Sequence, residues 1–228
     1  MKLSVIIPAA GSSSRMKSAV SKQLMKICGI EVLARTALAF ESSELVSEII
    51  IACRKEEEEE FKRLIEKYKI SKFKCFAPGG ASRQQSVFSA MPFVSEECDF
   101  VAIHDGARPL VSAEIIAETA KCAEIYGAAA PGVAVKDTIK IVNDKGFVES
   151  TPNRESLVAV QTPQIFNKKK YFSAMAAAIA GGEEYTDDCA LFEYFGETVY
   201  ISGGSYSNIK ITTAHDIPFA EKLLERQN

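Results

Sequence analysis

Histidine, paired cysteine and long apolar runs are all scarce in this chain of 228 residues. There are two histidines, His104 and His215, so chemistry that depends on an imidazole has little to draw on. The six cysteines, at 28, 53, 75, 98, 122 and 189, include no C-x-x-C pair. That excludes the common zinc patterns and the disulfide framework of a small secreted domain. They read as reduced, mostly buried thiols of a cytoplasmic protein. A catalytic cysteine would have only those two histidines to activate it. No stretch reaches the ~18 apolar residues of a membrane span. The run "LSVII" after Lys2 is too short for the apolar region of a secretory signal, so a cytoplasmic chain without membrane attachment is expected. Acid is missing too, but locally: residues 1–30 hold Lys2, Arg15, Lys17, Lys22 and Lys26 and no Asp or Glu, in a chain of formal charge −3. The mild overall acidity argues against a nucleic-acid binder, which shows a basic face.

What is present suits a soluble globular protein of one domain, 1–228. Hydrophobic residues make up 47% of the chain, enough for a substantial core. Strand-like and helix-like segments alternate. "LSVIIPA" (3–9) is a continuous apolar run, as a strand buried on both faces requires. "EVLARTALAF" (31–40) repeats apolar residues at helical spacing. Strands at 46–53, 72–77, 99–105 and 128–135 alternate with helices at 56–68, 81–91 and 112–126. This βαβα order predicts an α/β, Rossmann-like fold, with a mostly parallel twisted sheet flanked by helices on both faces. The rhythm breaks at about 136–156, where "TIKIV" and "GFVES" flank the turn signal "NDKG". A projecting β-hairpin arm is expected there. Beyond it the pattern predicts helices at 168–180, 187–195 and 214–227, a strand in "ETVYISGG" (197–204) and a short strand in "NIKIT" (208–212). The glutamate run 56–60 reads as a solvated helix start that the helix dipole favours.

Several loops sit where chemistry could occur. In a parallel sheet, ligands bind beyond the carboxyl ends of the strands. The loop "PAAGSSSRMKSAVSKQ" (8–23) follows the first strand. Its backbone N–H groups from Ala9 through Gly11 to Ser14 could cradle phosphate oxygens, with Arg15 and Lys22 adding charge. It matches neither the Walker A loop nor the G-x-G-x-x-G fingerprint, and taken alone it fits a solvated surface loop equally well. In "GGASRQQSV" (79–87), Gly79 and Gly80 permit close backbone approach. Arg83 sits in a first helical turn, against the dipole. An ordinary glycine turn capped by Ser82 explains the same residues. In "VAIHDGARP" (101–109), Asp105 ends an apolar strand, where a carboxylate can hold Mg²⁺, and Arg108 follows within reach of an anion or of Asp105 itself. His104 alternates away and reads as a packed histidine. Lys136, Thr138, Arg154 and Thr162 offer the hydroxyls and cations that suit a phosphate monoester. A solvated hairpin accounts for those on the arm. Thr186 reads as the N-cap of a helix with Asp187 and Asp188 in its first turn. Lys210 lies beside the edge of the expected "NIKIT" strand.

Taken in order, "PAAGSSSRM", Lys22, "GGASRQQSV", "HDGARP", "KDTIK", "NR", "TPQIF", "TDD" and "NIKIT" cover nearly the whole chain. It resembles the 2-C-methyl-D-erythritol 4-phosphate cytidylyltransferases of the non-mevalonate isoprenoid pathway. Each motif is weak alone; their joint order and spacing are specific. The resemblance implies transfer of CMP from CTP to a polyol phosphate with release of pyrophosphate, Mg²⁺ as cofactor, and a homodimer whose arm reaches into the partner's site. By position, Arg15, Lys22 and Lys210 are implied to stabilise the transition state. Ala9, Ala10, Gly11, Gly80 and Ser86 are implied to hold the nucleotide, with Asp105 near the metal and both substrates. Thr138 and Arg154 are implied to grip the acceptor's phosphate, with Arg108 and Thr162 joining the acceptor side. Ribitol 5-phosphate cytidylyltransferases share these motifs and form the alternative. Three positions depart from the family pattern: Ser13 replaces a glycine, Ser21 a proline and Ala81 an acid.

Overall fold

The computed structural model describes residues 1–11 and 21–225; the expected positions of Ser13 and Arg15 lie outside them. Strand β1 (Leu3–Pro8) is buried along almost its whole length. Its side chains alternate between two cores, as strand geometry requires. Leu3, Val5 and Ile7 enter one core and Ile6 the other. A short β2 (Lys26–Ile27) and β3 (Ile30–Glu31) form a small ribbon before α1 (Val32–Glu41). Then follow β4 (Val46–Cys53), α2 (Lys55–Lys67), β5 (Phe73–Pro78), α3 (Arg83–Ala90), β6 (Phe100–Ile103), α4 (Ala113–Tyr126) and β7 (Ala128–Ala134). The expected strands and helices of this half are all found, to within a few residues. The acidic start of α2 is not wholly solvated: Glu57 is buried against Arg54.

β1 lies between β4 and β6, parallel to both, and β5 pairs parallel with β4. The chain therefore winds outward from β1 in both directions, and β1/β6 is the switch point of the sheet. Helices α1, α2 and α4 cover one face, where Phe40, Phe61 and Ile116 are fully buried. Helix α3 covers the other, joined by α5 (Lys168–Gly181) and α6 (Asp188–Tyr194) with Tyr171, Met175 and Phe192. Each fully buried Leu, Ile or Phe stabilises by about 2 kcal/mol.

The expected hairpin arm is present as β8 (Ile141–Val142) and β9 (Val148–Ser150), paired antiparallel. Its apolar side chains Ile141, Val142, Phe147 and Val148 are exposed. The stretch after it forms β10 (Val158–Val160) and β11 (Gln164–Asn167), separated by a cis Thr162–Pro163 peptide. β11 inserts antiparallel between β6 and β7, and β12 (Tyr200–Gly203) adds parallel to the far side of β7.

"NIKIT" is not a strand. Its residues are held by loop bonds: Ile211 N–H donates to Ala107 O at 2.7 Å, and Asn208 Nδ2 donates to Thr162 O at 3.0 Å. The alternation that suggested a strand instead sends Ile209 and Ile211 into a small cluster with Ile27, Ala107 and α7 (Asp216–Glu225). The cap of α6 also shifts by one residue. Asp187, not Thr186, is the N-cap, accepting from Ala190 N–H at 2.9 Å, which leaves Asp188 buried inside the first turn.

Candidate active site

Beyond the carboxyl ends of β1 and β6 lies a cleft of about 480 Å³. Three junctions build it. The first is the end of β1. Ala9 N–H continues the ladder to Ala52 O at 2.7 Å, with its side chain buried, and Ala10 and Gly11 line the cleft. The second is the turn into α3. A Cβ on Gly79 would sit 2.4 Å from Ala10 Cβ, and one on Gly80 would sit 2.4 Å from Gln85 Cβ. Glycine is required at both positions by close packing, and the result locks the opening loop against the start of α3. Ser82 caps α3 by accepting from Gln85 N–H. Gly80 N–H donates to Ser86 Oγ at 3.0 Å, and Ser86 Oγ donates to Ser82 O at 2.8 Å.

The third junction carries the charge. Asp105, two residues past the end of β6, is buried. Lys210 Nζ lies 2.7 Å from its Oδ2, and Arg83 Nε donates to its Oδ1 at 3.0 Å. Arg108 approaches the same carboxylate at 3.8 Å while donating to Asn208 O. Burial alone would push the Asp105 carboxyl up, but Arg83, Lys210 and Arg108 outweigh it and hold it well below the usual carboxylate range. Arg83 does not end there. Its Nη1 lies 2.6 Å from Asp188 Oδ2, and Tyr171 donates to the other Asp188 oxygen at 2.5 Å. One buried network thus ties the starts of α3 and α6, and a tyrosine of α5, to the carboxylate at the switch point. This accounts for a cation placed in the unfavourable first turn of α3: two carboxylates compensate it.

Behind Asp105, His104 is fully buried, edge-on to Phe40. Burial pulls it down to about 4, so it is neutral near pH 7. Nε2 lies 3.1 Å from Arg108 O, which can only accept, so the proton sits on Nε2. Nδ1 then accepts from Thr162 Oγ1 at 3.0 Å, and Thr162 Oγ1 accepts from Asp105 N–H at 3.2 Å. Thr162 is therefore not among the residues that line the cleft. Its hydroxyl is used behind Asp105, where it fixes the backbone that presents the carboxylate.

Among the described lining residues, Lys22, Arg54, Arg83 and Lys210 are cationic and Asp105 alone is acidic. The structure brings together Ala10, Gly11, Lys22, Gly80, Ser86, Asp105 and Lys210 of the expected set. Ala9 stands just behind, and Arg15 lies outside the described residues. Thr138 and Arg154 are exposed on the arm and are not among the lining residues of their own chain. Arg154 Nη1 donates to Lys136 O at 3.0 Å, and Lys136 Nζ lies 3.7 Å from the centre of the Tyr206 ring. Ser21, where the resemblance expects proline, has φ −57°, within the range a proline ring imposes, so the backbone into Lys22 suits either residue. Ala81 N–H donates to Gln85 Oε1 at 3.0 Å. Sequence reading passed over Arg54 and Gln23, and it took Asp188 for capping alone. Arg83's position against the dipole was the one available signal for the network.

A cationic cleft with one carboxylate at the switch point of an α/β sheet is built to hold phosphorylated ligands, and fold and site together define the nucleotidyltransferase class. Over residues 3–226 the chain matches the family of 2-C-methyl-D-erythritol 4-phosphate cytidylyltransferases. It is 44% identical over 225 residues to the enzyme of that name from Clostridium botulinum (strain Langeland), covering 99% of this chain and 98% of the relative. It is 43% identical over 227 residues to the one from Caldanaerobacter subterraneus, covering 99% and 100%. The crystal structure of a 4-diphosphocytidyl-2C-methyl-D-erythritol synthase from Anaerococcus prevotii superposes with a TM-score of 0.88 at 34% identity, covering 99% and 96% of the two chains. The Thermus thermophilus cytidylyltransferase superposes at 0.81 with 32% identity, covering 99% and 100%. The chain belongs to the 2-C-methyl-D-erythritol 4-phosphate cytidylyltransferase family.

Proposed function

We propose that this protein transfers CMP from CTP to 2-C-methyl-D-erythritol 4-phosphate. The products are 4-diphosphocytidyl-2-C-methyl-D-erythritol and pyrophosphate, in isoprenoid precursor synthesis. The observation that carries the proposal is the cluster of Lys22, Lys210, Arg83 and Asp105 in one cleft at the sheet's switch point. An acceptor phosphate oxygen attacks the α-phosphorus of CTP, and the bond from that phosphorus to the β-phosphate oxygen breaks. The attacking oxygen is already ionised near pH 7, so no strong general base is needed. What the reaction needs is fixed positive charge, because two anions must meet and further charge builds on the leaving pyrophosphate. Lys22, Lys210 and Arg15 are the residues assigned to supply it. His104, neutral and enclosed, takes no part in proton transfer and serves to hold Asp105 in place.

Ala10, Gly11, Gly80 and Ser86 form the nucleotide side of the cleft, with Ala9 behind them. The acceptor side falls to Asp105 and Arg108 together with Thr138 and Arg154 of the arm. Magnesium fits the residues present. No group of three or more His, Cys, Asp or Glu that could hold an ion alone occurs among the described residues. Mg²⁺ asks for less, taking one or two carboxylates and completing its shell with water and substrate phosphates; Asp105 is the one acidic residue among the described lining residues, and its Oδ2 would exchange the Lys210 contact for the ion. When bound, the ion would neutralise phosphate charge. We assign a homodimer as the working unit, with Thr138 and Arg154 acting in the partner's cleft. The exposed apolar arm and the exposed Val158, Tyr200 and Tyr206 supply apolar surface suited to such an interface.

The test is pyrophosphate release from CTP, magnesium chloride and 2-C-methyl-D-erythritol 4-phosphate. Parallel reactions contain ribitol 5-phosphate as acceptor, or UTP, GTP or ATP as donor. Release with the methylerythritol acceptor and CTP alone is expected. Release that follows ribitol 5-phosphate, or no release at all, would show the proposal to be wrong.

A further inference from the structure

Gln23 belongs to the 3-10 helix Lys22–Leu24 and is 2% exposed, yet it lines the cleft. Its carboxamide oxygen Oε1 is buried and accepts no hydrogen bond from any described residue. A Cβ on Gly106 would lie 3.2 Å from Gln23 Nε2, 3.3 Å from Oε1 and 3.1 Å from Ile7 Cγ2. The amide is thus packed between β1 and the turn after β6, beside Asp105 and directly after Lys22. An amide buried without a partner destabilises a fold, and an apolar side chain of the same shape would be the more stable choice there. A buried polar atom with no partner among the described residues calls for one; Gln23 lines the cleft, and a turn of its carboxamide brings the oxygen to the side on which a ligand can supply it.

We infer that Gln23 is a substrate-contacting residue, its Oε1 accepting a hydrogen bond from a hydroxyl group of a ligand in the cleft. This deepens the nucleotidyl transfer proposed above and rests on it. The orphan atom only accepts, so an ionised phosphate, which has no proton to give, cannot satisfy it. Two ligand hydroxyls can, those of the ribose and those of the acceptor polyol. Under the proposed function, the third available donor, the amino group of the base, falls to Gly80 and Ser86.

The test compares wild type with Gln23→Met, which keeps the length and unbranched shape of the side chain and removes the amide. Gln23→Leu serves as the second variant should the first fail to fold. Thermal unfolding without ligand is measured first. Calorimetric titrations with CTP and with 2′-deoxy-CTP in magnesium chloride follow, then KM for the acceptor. The unliganded variant should melt at or above the wild-type temperature, while one ligand binds about tenfold more weakly. A rise in the CTP Kd, with the CTP to 2′-deoxy-CTP difference reduced, places the contact at the ribose. An unchanged CTP Kd with a tenfold higher acceptor KM places it at the polyol. Affinities within twofold of wild type for both ligands overturn the inference, as does a lowered melting temperature whatever the affinities. Loss of preference for CTP over UTP overturns the hydroxyl assignment. Wild-type protein that neither binds CTP nor releases pyrophosphate overturns the nucleotidyl transfer itself, and is distinguished by its independence of Gln23.

Discussion

Lys22 and His104 show at single positions how charge is used and withheld in this cleft. Lys22 stands at a wall where, among the described residues, four cations face one carboxylate. If its charge acts on the transition state, Lys22→Ala lowers kcat by ~10²–10³, the range for losing one such electrostatic contact. Steady-state kinetics with both substrates checks this; a raised KM with kcat intact would point to ground-state binding only. His104 shows the reverse, an imidazole kept neutral by burial at about 4. Its ordinary value is near 6.5, so between about pH 6.5 and 4 the unfolded chain binds a proton that the folded chain refuses. Stability present above that window is lost as the pH falls through it, at up to about 1.4 kcal/mol per unit. Urea unfolding of chelator-treated protein at pH 7.5 and 5 should show the decline. His104→Gln should reduce the slope.

Among elements, the decisive contacts join pieces far apart in the chain. Arg83 on α3, Asp105 after β6 and Asp188 on α6 meet in one buried network. Asp188→Ala leaves Arg83 short of one compensating carboxylate and Tyr171 without its acceptor. A loss of about 3 kcal/mol is expected, typical of breaking a buried pair from one side, with the unfolding midpoint in urea as the readout. The elements themselves were largely legible. A continuous apolar run marked β1, helical spacing marked α1, and the alternation of strand-like and helix-like segments marked those that follow. "NIKIT" was misread because alternation reports which side chains turn inward, and Ile211, buried, and Ile209, partly buried, do so on a loop without any ladder. Asp188 was misread because cap chemistry and ion pairing call for the same residue type at a helix start.

For the whole molecule, the arm is the feature that a single chain does not explain. Arg154 and Thr138 are exposed and stand apart from the residues lining their own cleft. If they serve a partner, mixed dimers of Lys22→Ala and Arg154→Ala subunits recover activity that neither variant has alone. Each mixed dimer then holds one cleft with both its lysine and its arginine intact. Activity after subunit exchange is the measurement, and no recovery would count against shared sites. Sedimentation of the wild type at micromolar concentration should give the mass of two chains.

Local chemistry and its order along the chain were enough to determine the α/β sheet, the arm, the family and several of the residues that line the cleft. These are properties of near neighbours, or of motifs whose spacing survives without coordinates. The partners of the charges were decided only by tertiary structure. Nothing in "GGASRQQSV" or "TDDCA" says that Arg83 and Asp188 touch, that Thr162 turns behind Asp105, or that Gln23 is buried with an oxygen unmet by any described residue. Those facts come from the winding of the sheet, which brings strand ends from distant parts of the chain to one edge and leaves water out between them.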